Sequence, residues 1–159
     1  MILEDAFSWK LQATNICYGA KNNENANFRV KQQGLLKGLK LKHISGYLDC
    51  DIDGPDNSRS RWGCWDYLLT LITDNQNNIV FPDPKIVTSN AYHRYKGRGW
   101  NSRTSTNLTF VDMDKPMYVE RGMELRVWYG EDLVGHTEAD NGGKHCVDVY
   151  AQIVDQLIK

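Results

Sequence analysis

The sequence predicts an all-β protein, an antiparallel β-sandwich of jelly-roll type, on three observations. Short runs of strand-forming residues recur at roughly ten-residue spacing. Polar turn clusters separate them, such as "DNQNN" at 74–78. No stretch before residue 150 keeps the helical period for three turns.

The elements follow in order. "FSWKLQA" alternates Phe7, Trp9 and Leu11 on one face. "LLKGLKLKHISGYLDC" places Leu39, Leu41, His43, Ser45, Tyr47 and Asp49 on one face, against Lys40, Lys42 and Ile44. "DYLLTLIT" is a short apolar run that stops at the polar turn and resumes as "IVF", which is the pattern of a hairpin. "PDP" at 82–84 breaks the chain. "NLTFVDM", "MYVE", "ELRVWYG" and "HCVDVYAQIV" supply four further strands, with "ERGM" at 120–123 a tight turn. In the last strand Val147, Val149, Ala151 and Ile153 alternate against Asp148, Tyr150 and Gln152. No repeat or linker interrupts residues 1–159, so one domain is expected.

Charge is balanced, with 19 basic and 20 acidic residues, so no attraction to nucleic acid is expected. No apolar run approaches the roughly 20 residues that span a bilayer, so no membrane insertion is expected. The start, "MILEDAFSWK", has neither a basic nor an apolar signal region. A secreted protein would have lost its signal already. Cys17, Cys50, Cys64 and Cys146 contain no CxxC pair, which argues against a zinc knuckle. The expected pairing is Cys50–Cys64, closing a turn-rich loop, and Cys17–Cys146, joining the two ends of the domain. Such bridges point to an oxidising, extracellular location. The sequon "NLT" at 107–109 agrees with secretion.

Two acidic clusters are candidate calcium sites. Asp49, Asp51 and Asp53 alternate ahead of Gly54, as in the first half of a calcium loop. The EF-hand form fails, because its twelfth position is Ser60 and Pro55 follows the glycine. Two unneutralised carboxylates about 4 Å apart repel by about 4 kcal/mol at an effective dielectric near 20. Burial would therefore require a cation, whereas exposure, or pairing with Arg59 and Arg61, would not. The second cluster holds Glu131, Asp132, Glu138, Asp140, Asn141 and Asp148, with Gly142 and Gly143 freeing the backbone. Oxygen ligands in an inter-strand loop suit Ca2+. His136 and His145 offer a weaker zinc alternative, and a plain solvated turn is the bland one.

The segment "NAYHRYKGRGWNSRTS", 90–105, carries no acid. Tyr92, Tyr95 and Trp100 are expected to stack on sugar C–H faces, with Arg94, Arg98 and Asn101 bonding hydroxyls or anionic groups. The bland reading is a surface connection whose rings pack down on the sandwich.

Two family resemblances follow from quoted residues. The acid-and-glycine loop followed by "CVDVYAQI" resembles the last strand of galactose-binding-like and carbohydrate-binding-module jelly rolls. That likeness implies a sandwich with a structural calcium. "DGPDNSRSRW" and "GMELRVWYG" resemble two segments of PR/SET methyltransferase-like domains. The chain departs from them after Trp62, where "GCWDYLLTL" replaces the family's Asn-Cys or Asn-His strand. No nucleophile elbow, phosphate loop or HExxH is present.

The sequence thus predicts a secreted, calcium-stabilised, lectin-like module whose partner is a glycan or glycoprotein. The alternatives are a structural or adhesive matrix protein and, third, a glycoside-active or methyltransferase-like enzyme.

Overall fold

Two antiparallel sheets face each other, each burying one side of its alternating strands. The computed structural model describes residues 8–88, 93–97, 99–111, 116–135 and 138–155. In the first sheet, β1 (Lys10–Gly19) pairs with β12 (Gly142–Val154), and β12 pairs with β3 (Gly34–Asp49). The far edge of β3 takes three short partners in turn: β10 (Met117–Val119), β9 (Asn107–Val111) and β4 (Arg59–Ser60). The second sheet runs in the order β2 (Ala26–Arg29), β11 (Glu124–Tyr129), β7 (Thr70–Asp74) and β8 (Ile79–Phe81). A small hairpin, β5 (Gly63–Cys64) with β6 (Tyr67–Leu68), stands apart from both.

One apolar cluster takes residues from both large sheets. Val147, Val149, Ala151 and Ile153 face inward along β12, as the alternation predicts. They pack with Leu39 and Leu41 of β3 and with Leu125 and Val127 of β11. Each such buried valine, leucine or isoleucine contributes roughly 1.5–3 kcal/mol.

Elsewhere the simple alternation breaks. The pairing slips between Cys146 and Val147, so Ile44 has no partner on β12. An extra residue reverses which side points inward. Beyond it Tyr47 is exposed while Leu48 and Asp49 are buried. In β1 two slips put Gln12 inside and leave Leu11 exposed. The segment "GEDLV" is not a loop but a short helix, α1 (Gly130–Val134), stopped by Gly135 in the left-handed region at φ 72°.

Both expected disulfides are present. Cys17–Cys146 links directly paired residues of β1 and β12, and Cys50–Cys64 ties the end of β3 to the small hairpin. A polar chain crosses the core between the sheets. His43 Nδ1 lies 2.8 Å from His145 Nε2, and His145 Nδ1 lies 3.1 Å from the Tyr18 hydroxyl. That hydroxyl is 2.7 Å from Thr70 Oγ1, which donates to the Trp62 carbonyl at 3.2 Å. Trp62 is fully buried, edge-on to the His145 ring.

Candidate functional site

The small hairpin has a two-residue turn, because Cys64 pairs with Tyr67. Such turns require positive φ and favour asparagine, aspartate or glycine. Here the first turn residue is Trp65, at φ 55°. A bulky residue in that region is strained by roughly 1–3 kcal/mol. The turn is held from outside: Trp65 N–H donates to the Asn57 carbonyl at 2.9 Å, and Cys64 is fixed by its disulfide. Gly63 permits the close strand approach, since any side chain there would collide with the Tyr67 carbonyl. The result is a tryptophan ring 42% exposed at the hairpin tip.

Trp65 borders a hollow of about 280 Å³. Its other walls are Asp51, Arg94, Glu131, Asp140, Leu69 and the Cys50–Cys64 bridge. Three distant segments meet there, each for a local reason. The Asp49–Asp53 turn is curled by its own side chains. Asp49 Oδ1 accepts from Asp51 N–H at 3.0 Å and from Ser58 Oγ at 2.6 Å, and Asp51 Oδ1 accepts from Asp53 N–H at 3.2 Å. Ile52 N–H donates to the Asp140 carbonyl at 2.9 Å, which brings the second acidic segment alongside the first. Residue 94 arrives through Tyr95, whose backbone makes a two-way bridge with Leu68 and whose hydroxyl donates to the Thr70 carbonyl at 2.6 Å.

The expected ligand residues therefore divide. Arg94 joins the acidic hollow, its guanidinium 4.2 Å from the centre of the Tyr67 ring. Tyr95 is buried and braces the segment. Trp100 is 58% exposed and borders a second hollow together with Asn101. The Asn101 amide is engaged with β9, donating to the Thr109 carbonyl at 2.8 Å and accepting Thr109 N–H at 2.9 Å. Tyr92, Arg98 and His136 lie outside the described residues.

The expected metal residues divide as well. Asp51, Glu131 and Asp140 line the one hollow. Asp49 is buried and takes Arg59 at 3.6 Å, while Asp53 sits on the exposed turn. Asp132 is buried and accepts two backbone N–H groups, from Asn23 and Glu24, each at 2.8 Å. Burial and its hydrogen bond to Glu138 hold the Asp132 carboxyl above the usual carboxylate range. Asp148 accepts Asn15 N–H at 2.8 Å. His145 is committed to the core chain. Among the described residues no three His, Cys, Asp or Glu side chains already converge as a metal cluster.

One buried amide steadies a wall of the acidic hollow. Asn141 is fully buried, and its Nδ2 donates to Glu131 Oε1 at 2.8 Å and to the Ala20 carbonyl at 3.0 Å. Its Oδ1 is buried without a hydrogen-bond partner. Glu131, held by that amide, lines the hollow with Asp51 and Asp140, and carboxylate oxygens are the ligand type that hard cations such as calcium take.

Trp65 and Arg94 were the signals hardest to combine from sequence. The residue type of Trp65 was visible, but its two-residue turn was not. The WGCWDY segment lacks the Asn-Gly or Asp-Gly pair that marks such a turn.

Fold and site together define a class: a disulfide-braced all-β sandwich that gathers aromatic and acidic groups on its inter-strand turns. No protein-family model matches the sequence, and no curated protein does. Among solved structures, the chain superposes on AJLec, a lectin from the sea anemone Anthopleura japonica, with a TM-score of 0.81. The two share 31% sequence identity over 92% of this chain and 98% of the other. The chain belongs to the family of this sea anemone lectin.

Proposed function

We propose that the protein is an extracellular, calcium-stabilised glycan-binding module, and that sugar is taken at the hollow beneath Trp65. The observation that carries this reading is the strained tryptophan. A bulky ring is held in a left-handed turn by a disulfide and a backbone hydrogen bond, half in solvent, over a polar hollow. Strain of this kind is retained where the ring has work to do on a ligand. The ring offers a flat face to sugar C–H groups, and Arg94 offers donors to hydroxyls. The likeness to AJLec supports a lectin role.

Asp51, Glu131 and Asp140 would hold the calcium ion, with the Asn141 amide donating to Glu131 and fixing its carboxylate in place. The ion would neutralise the crowded carboxylates and order the turns before the sugar arrives, lowering the entropy cost of binding. The two disulfides support an oxidising compartment. Among the described residues no helix is long and apolar enough to cross a membrane.

The test is thermal melting in millimolar calcium against chelator, paired with glycan-array binding in both. The expected result is a melting temperature several degrees higher in calcium, corresponding to about 1 kcal/mol. Array binding should vanish in chelator and in Trp65→Ala. Identical melting curves and silence on every glycan would reject the reading.

A further inference from the structure

The acidic hollow does not use Trp100, the most exposed large ring among the described residues. Trp100 borders a separate hollow of about 180 Å³. Its base is made by Phe81 and Phe110, whose rings stack with centroids 5.7 Å apart and planes 20° from parallel. Ile86 and Val111, both exposed, stand at its margin, and Asp83 gives it a polar group. The double clamp between Asn101 and Thr109 fixes the backbone beside Trp100 against β9. The volume is below the about 300–1,000 Å³ of sites that enclose a drug-sized ligand, so the hollow accepts a single ring.

The two hollows are the two sides of one segment. Arg94 lines the acidic one, and Tyr95, Lys96 and Gly97 line the other. Residues 94 and 97 are about 10 Å apart along an extended backbone. Tyr67 packs against this segment, with the Arg94 guanidinium 4.2 Å and the Lys96 ammonium 4.3 Å from its ring centre. The ridge is therefore a flat ring bracketed by two cationic donors, which suits a hydroxyl-bearing chain crossing it.

We propose that the Trp100 hollow is a second sugar subsite, so that the protein reads an oligosaccharide of at least three linked units running over the Tyr67 ridge. One unit occupies each hollow, and at least one crosses between them. This rests on the acidic hollow being a sugar site. Trp100 supplies a stacking face for the distal unit, while Asp83 accepts from one of its hydroxyls. The subsite adds affinity through chain length and adds nothing for a single sugar.

The experiment is calorimetric titration of the full chain in calcium with two length series, chitin oligomers from monomer to tetramer and N-acetyllactosamine repeats from one unit to three. The expected result is an affinity that rises by about five- to tenfold with length in at least one series, the size of one added aromatic contact. In Trp100→Ala that gain disappears while binding of the shortest member is unchanged. In Trp65→Ala binding of the shortest member is lost. A flat length series in the wild type, or a gain that survives Trp100→Ala, overturns the second subsite and leaves the first intact. Retained short-sugar binding in Trp65→Ala overturns the acidic-hollow reading instead. No binding of any member overturns both.

Discussion

The core hydrogen-bond chain fixes its own proton positions. The Trp62 carbonyl can only accept, so the single Thr70 hydroxyl proton points to it. Thr70 must then accept from Tyr18, and Tyr18 from His145 Nδ1–H. That leaves His145 Nε2 to accept from His43 Nδ1–H. His145 is thus neutral, with its proton on Nδ1, and a second proton would face the one on His43. Burial first, then the neighbouring His43 and Arg61, lower its pKa from 6.5 to about 3. His43 is lowered in the same direction, by burial and Arg61. The unfolded chain therefore binds a proton that the folded one refuses. Stability is complete above pH 6.5 and falls as pH drops toward 3, by an amount on the order of a few kcal/mol. Asp132, raised from 3.8 to about 6, takes up its proton earlier in the folded chain and offsets part of that loss between those two pH values. Urea unfolding from pH 7 to 4 should show this decline, with a shallower slope in His145→Gln. Tyr18→Phe should destabilise by about 1–3 kcal/mol at neutral pH, because it leaves the His145 Nδ1–H without an acceptor and the Thr70 oxygen without its donor in the core. At Trp65 two effects oppose each other. Trp65→Asn loses packing but relieves left-handed strain, so its stability should change by less than about 1 kcal/mol. Its glycan binding should nevertheless fall about tenfold or more. A large loss of stability with binding retained would make Trp65 a structural residue.

The two disulfides act on different elements. Cys50–Cys64 closes 14 residues and holds the acidic turn against the hairpin that carries Trp65. Cys17–Cys146 joins strands that already pair, over a separation of 129 residues. Chain entropy assigns about 3 kcal/mol to the short loop and about 5 kcal/mol to the long one. Cys50→Ser/Cys64→Ser should therefore be the milder change in chemical denaturation, yet the more damaging one for glycan binding. If the Cys17→Ser/Cys146→Ser pair abolished binding while remaining folded, that assignment would fail. The helix α1 has a similar double role. It buries Glu131 and Asp132 on successive residues, one toward the hollow and one toward the β1–β2 turn. This is why acids adjacent in sequence do not share one site.

Across the whole molecule, the sandwich brings segments distant in sequence to one hollow: the turn after β3, the hairpin before β7, the stretch around Arg94, α1 and the loop before β12. Their alignment depends on backbone bonds such as Ile52 N–H to the Asp140 carbonyl. Calcium bound among them would couple site order to global stability. The calcium-dependent melting shift should therefore shrink in Asp51→Asn and Asp140→Asn, and should persist in Trp65→Ala.

The all-β class, most of the longer strands and both disulfide pairings were legible in the sequence by itself. The physical reason is that strand alternation and turn residues are local signals readable within a few positions, while four cysteines allow only three full pairings and a short turn-rich loop singles out Cys50 with Cys64. The inward face of β12 was read correctly because its alternation is unbroken from Val147 to Ile153. The face of β3 beyond Ile44 was not, because a bulge is set by pairing with another strand. The residue types of the site were also visible, but their grouping was not. Only the tertiary structure separated Asp132 and Asp148 from Asp140, moved Arg94 away from Trp100 and put Trp65 at the edge of the acids. Those groupings arise from contacts between strands far apart in the chain, and no local pattern encodes them.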